Sequence, residues 1–188
     1  VDTYKPADTH EYKWDTQTSK TWYYGKSQDG AVGYGLLQDG KGARLLYTPI
    51  AGKYQDMSIK LWVDPCKTAG QGFGSATGQY MDIFIKYDTK TLSGYGLRII
   101  RTTKYANAVD FILMQYENGQ SKEISEAVSA TCYRTNCHID LKVVGNTLSA
   151  DVFTETQVPE HPAGLPKEVH LKKDIETNVF GGLGIQHT

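Results

Sequence analysis

No apolar run in these 188 residues approaches the length of a membrane-spanning helix. An excess of one charge is lacking too. Against 21 acidic residues stand 20 basic ones, for a formal net charge of −1, which gives no general pull toward nucleic acid or an anionic membrane. No basic run is interleaved with aromatics as a base-stacking surface would require. The opening "VDTYKPADTHEYKWD" has no charged segment followed by an apolar one, so it carries no signal-peptide pattern. A processed chain would read the same way, which leaves the compartment open. Cysteine is sparse: Cys66, Cys132 and Cys137 include no CxxC pair, which argues against zinc. Cys132 and Cys137 flank "YRTN". If they end two paired strands, they come within bridging range, and a disulfide there implies an oxidising compartment. Three free thiols fit the same spacing.

Helical periodicity is also missing. "SKEISEAVSA" comes nearest to it and still reads better as a strand. The prevailing period is two, with turn formers between the runs. "TWYYG", "VGYGLLQ" and "ARLLYT" open the series, separated by "SQDG" and "DGKG". "MSIKLWV" sets Met57, Ile59, Leu61 and Val63 on one side, with Ser58, Lys60 and Trp62 on the other. "YMDIFIKYD" groups Met81, Ile83, Ile85 and Tyr87 against Tyr80, Asp82, Phe84 and Lys86. "GYGLRIIRT", "VDFILMQYE" and "EISEAVSA" follow, the last two split by Asn118-Gly119, a tight-hairpin pair. "CHIDLKVVGNTLSADVF" is a hairpin with one dry face and one bearing His138, Asp140, Lys142 and Asp151. "NVFGGLGIQH" makes a final strand, and 64–78 and 156–166 read as long loops. The expectation is one all-β domain over 1–188, a two-sheet antiparallel β-sandwich.

This order of strands and turns resembles the concanavalin A-like lectin/glucanase superfamily, which includes laminin-G-like domains. In such domains a strand opens with an aromatic-His pair and alternating apolar residues, then turns at a glycine and returns. Here His138, Ile139, Leu141 and Val143 match the first strand, Gly145-Asn146 the turn, and Leu148, Ala150 and Val152 the return. Cys137 stands in the aromatic's place. "GYGLRIIR" and "FGGLGIQH" resemble superfamily strands in the same order, so the likeness runs from about Trp22 onward. It implies a jelly-roll fold. It also implies that a structural calcium could be bound at a sheet edge, for which Asp2, Asp56, Asp64 and Asp151 are on hand.

The resemblance directs attention to catalysis, and the residues do not supply it. Glucanases of this superfamily use an E-x-D-x-x-E strand, which is missing here. Glu123 and Glu126 in "EISE" point to opposite faces of a strand, as do Gln186 and His187 in "IQHT". There is no G-x-S-x-G elbow and no H-E-x-x-H, and the five histidines have no metal spacing. "GQGFG" lacks the Gly-Lys-Ser/Thr of a phosphate loop. What remains is a surface. Thirteen tyrosines and three tryptophans favour aromatics with a polar handle, which suit sugar binding and equally suit plain strands. On the polar phase of successive strands lie Trp62, then Asp82, Phe84 and Lys86, then Arg98, which are expected to line one carbohydrate-binding groove. The polar face of the 137–153 hairpin is expected to be the ordinary wet side of a sheet. The leading reading is a non-catalytic carbohydrate-binding module of an extracellular or periplasmic polysaccharide-handling protein, needing no cofactor. The alternatives are a glycoside hydrolase or polysaccharide lyase of the same fold, and a structural module that binds neighbouring domains. Nucleic acid and membranes are not expected partners.

Overall fold

The computed structural model describes residues 12–16, 22–25, 35–38, 44–49, 56–63, 77–102, 108–131, 137–154, 167–176 and 178–187, the first four stretches by their backbone alone. Every regular element among them is a strand. They are β1 (Tyr12–Thr16), β2 (Trp22–Gly25), β3 (Gly35–Gln38), β4 (Arg44–Pro49), β5 (Met57–Val63), β6 (Tyr80–Asp88) and β7 (Ser93–Arg101), then β8 (Ala108–Glu117), β9 (Gln120–Glu123), β10 (Val128–Thr131), β11 (Cys137–Val144), β12 (Thr147–Thr154), β13 (Glu168–Asp174) and β14 (Gly182–His187). An eight-stranded sheet runs β1-β4-β14-β6-β7-β8-β10, with β9 bonded to β8. A four-stranded sheet runs β13-β12-β11-β5, and β2 pairs with β3 as a separate ribbon. All pairings are antiparallel. No helix among the described residues is long and apolar enough to cross a membrane.

The two larger sheets face each other through one apolar layer. From the large sheet come Met81, Ile83, Ile85, Leu97, Ile99, Phe111 and Leu113, and from the small sheet Val63, Ile139, Leu141, Val143, Leu148, Ala150, Val152 and Val169. In β11 and β12 these are the alternate residues, as dyad side-chain geometry demands. The β8–β9 and β11–β12 turns take two residues each. Asn118 and Gly119 sit at φ 52° and 80°, and Gly145 at φ 58°, the left-handed conformations that let a twisted antiparallel pair reverse tightly.

Alternation fails at one place, and the failure matters. The register of β6 on β7 shifts between Ile85 and Asp88, with Lys86 at φ 51°. This bulge consumes one extra residue, so Tyr87 turns to the opposite face from Ile85 instead of sharing it. Asn178 holds the bulge, its Nδ2 donating to the Lys86 carbonyl at 3.1 Å. The last strand accordingly begins at Gly182 and not at Asn178. Two other expectations change. "EISEAVSA" is not one strand, because β9 ends at Glu123 and β10 starts at Val128. β1 and β13 are strands that the alternation did not reveal.

Candidate functional site

The five residues expected to line one groove do not share a face. Trp62 lies on β5 in the small sheet, whereas Asp82, Phe84 and Lys86 lie on β6 and Arg98 on β7 in the large one. Asp82 and Phe84 do point away from the inter-sheet core, but that outer face is covered, leaving them 0% and 1% exposed. There Asp82 accepts both Arg98 Nε at 2.8 Å and Arg98 Nη2 at 2.9 Å. The guanidinium lies 3.8 Å over the Tyr80 ring. Burial works against its charge, the bonds to Asp82 outweigh that, and the Arg98 pKa rises. Phe84 stacks on Tyr87 at 4.3 Å and meets Tyr116 edge-on at 4.8 Å, forming a second apolar cluster with Ile112 and Met114. Burial, reinforced by the charge of Asp82, pushes the Tyr116 hydroxyl's pKa well up. Lys86, 2% exposed, sits in the bulge, where burial lowers its pKa and Asp56 partly restores it. The grouping is corrected accordingly, because alternation assigns a side chain to a face without saying whether that face is wet. Cys132 lies outside the described residues, and with it the proposed bridge. Cys137 is fully buried at the start of β11.

Trp62 instead belongs to a surface built on the small sheet, and the polar side of the 137–153 hairpin is its centre. Antiparallel register aligns the outward residues of four strands into rows. Trp62, His138, Phe153 and Glu168 form the first row. Lys60, Asp140, Asp151 and His170 form the second, and Ser58, Lys142, Ser149 and Lys172 the third. Trp62 is 73% exposed and Phe153 47%, and His138 stands between them. Ring centroids are 4.8 Å apart from Trp62 to His138 and 6.1 Å from His138 to Phe153, at tilts of 57° and 51°. A shallow depression of about 430 Å³ follows the first two rows and is lined from Lys60 and Trp62 at one edge to Glu168 and His170 at the other.

The polar row is internally organised. His170 Nδ1 lies 2.6 Å from Asp151 Oδ1, and its Nε2 lies 3.3 Å from Glu168 Oε2. Both ring nitrogens thus face carboxylates, an arrangement that favours the imidazolium. The bond to Asp151, then that to Glu168, raises the His170 pKa above its ordinary value. The Ser58 hydroxyl donates to Asp140 at 3.3 Å, which orients that carboxylate. No group of three or more His, Cys, Asp or Glu poised to hold a metal ion occurs among the described residues. Asp56 accepts from the Gly145 N–H at 2.8 Å and Asp151 is engaged by His170, while Asp2 and Asp64 lie outside the described residues.

No family model matches the chain, and no curated protein matches it. Among solved structures it is similar to the exoplasmic/lumenal domain of VIP36 in the Ca2+/Man3GlcNAc-bound form. That match has a TM-score of 0.52 at 10% identity, over 98% of this chain and 80% of that one. The Ca2+-bound form gives 0.51 at 10% identity, over 93% and 76%. The fold is a lectin-like β-sandwich. A carbohydrate binding module, CBM66 from Bacillus subtilis, superposes more loosely, with a TM-score of 0.45 at 15% identity over 94% of each chain. At such identities the likeness speaks for the fold alone. The aromatic row of this lectin-like sandwich is absent from the sequence reading because Trp62 on β5 is far along the chain from the β11–β12 hairpin that carries His138 and Phe153. Trp62 on the polar phase of its strand is one legible sign. Phe153 on the polar phase of "LSADVF" is another.

Proposed function

We propose that this chain is a carbohydrate-binding module of the concanavalin A-like superfamily, and that it binds glycan on the outer face of its small sheet. One observation carries the reading: solvent-exposed Trp62 and Phe153 sit in a single cross-strand row, bordered by Asp140, Asp151 and His170. Pyranose rings offer apolar C–H faces to such aromatics and hydroxyls to such carboxylates. The likeness in fold to a VIP36 domain solved in a Man3GlcNAc-bound form supports the reading. We place the module outside the cell or in a periplasmic or lumenal space, as one domain within a polysaccharide-handling protein.

A glycan array on the purified chain tests this. Specific binding is expected, and Trp62→Ala or Phe153→Ala should weaken it at least tenfold, or ~1.4 kcal/mol, with little change in Tm. An array without hits, or hits that survive both substitutions, would overturn the assignment.

The facing carboxylates of Asp140 and Asp151 favour a glycoside hydrolase as second reading. Release of reducing ends from bound polysaccharide would establish it. We expect none, because Asp151 is tied to His170.

A further inference from the structure

We infer that the ligand is an uncharged, linear oligosaccharide segment that lies across the strands, from β5 to β13. This rests on the carbohydrate reading above and specifies what that face selects. The depression decides the direction. It takes in the first and second rows of all four strands and excludes the third, so it is long across the sheet and narrow along it. With strands spaced about 4.8 Å apart, its length is about 14 Å, room for about three sugar rings. Both ends fall on the edge strands of the small sheet.

The two rows make unlike walls. Trp62, His138 and Phe153 offer ring surface at successive strands, so consecutive sugars each meet an aromatic. Opposite them the order is Lys60, Asp140, Asp151, His170, with basic side chains outside and carboxylates in the middle. Carboxylates on adjacent strands accept hydroxyl hydrogens, and the neighbouring Lys60 offers donors to hydroxyl oxygens. A sugar carboxylate or sulfate placed there would meet Asp140 and Asp151 together, with Glu168 close by. Lys142 and Lys172, which could have attracted such a group, belong to the third row, outside the depression.

Calorimetric titration of the full chain tests the inference with gluco- and manno-oligosaccharides of one to six residues, with an equal ladder from the best array hit and with oligogalacturonates of matched length. Affinity for the neutral ladder should rise at least tenfold from one residue to three or four and then level off. The uronate ladder should bind at least tenfold more weakly. Asp140→Asn and Asp151→Asn should weaken the neutral ligand while narrowing its margin over the uronate. A monosaccharide that binds as well as the tetramer overturns the elongated site, and tighter binding of the uronate that Trp62→Ala abolishes overturns the charge selection. If no glycan binds in either experiment, the carbohydrate reading itself falls and this inference with it.

Discussion

Asp82 and Arg98 are the clearest case of one residue's fate depending on another. A carboxylate at 0% exposure is tolerated because a bidentate guanidinium neutralises it and donates a hydrogen bond to each of its oxygens. Asp82→Ala leaves a largely buried Arg98 without that partner and should cost about 3 kcal/mol in urea unfolding, with glycan affinity unchanged because the pair lies on the other sheet. His170 behaves differently, being exposed and held by Asp151 and Glu168. Its folded pKa exceeds the unfolded value of about 6.5, so the charged ring is favoured by folding. That stabilisation is complete below pH of about 6.5 and fades as pH rises through the raised folded value. An NMR titration should find the His170 midpoint above the ordinary histidine range, and Asp151→Asn should bring it down. A midpoint unchanged by that substitution would contradict the assigned cause.

Among the elements, β6 shows how a local irregularity directs a whole face. The Lys86 bulge sends Tyr87 to the outer cluster, and Gly94 on β7 makes the room for it. Gly94 stands at φ 153°, and a Cβ there would lie 2.5 Å from the Lys86 carbonyl oxygen and 2.7 Å from Tyr87 Cα. Backbone cannot yield as a side-chain tip can, so Gly94→Ala should destabilise by about 2–3 kcal/mol. Chemical denaturation measures this, and a neutral substitution would mean that the bulge is dispensable. The strands differ in how legible they were. The inward residues of the 137–154 hairpin could be read directly, because apolar and polar positions alternate through both arms of a two-residue turn, with Phe153 the exception on the polar phase. β13 escaped because "EVHLKKD" has only two buried apolar residues, Val169 and Leu171, in a mostly charged stretch that follows a proline-rich segment. Missing β13 also hid Glu168 and His170, one end of the site.

Across the whole molecule, the core between the sheets holds the outer face of the small sheet in register. Leu141 is fully buried there, on β11, the strand that carries His138 and Asp140 on its opposite side. Leu141→Ala should lower stability by 2–5 kcal/mol through lost burial and a residual cavity, estimated roughly from core truncations. Below its lowered Tm, the variant should bind glycan nearly as well as the parent. A large loss of affinity in fully folded protein would show that the face depends on core packing in finer detail. The sequence by itself determined the all-β class, the two-sheet sandwich and the inward residues of most strands, because side chains that alternate by two declare which half of a strand must be dry. It also marked both tight turns, where Asn118-Gly119 and Gly145 supply positive φ. Which of the remaining faces stays open was decided only by tertiary structure. Alternation is a property of one strand, whereas cover over Phe84 and the alignment of Trp62, His138 and Phe153 arise from register and packing between segments distant in the chain.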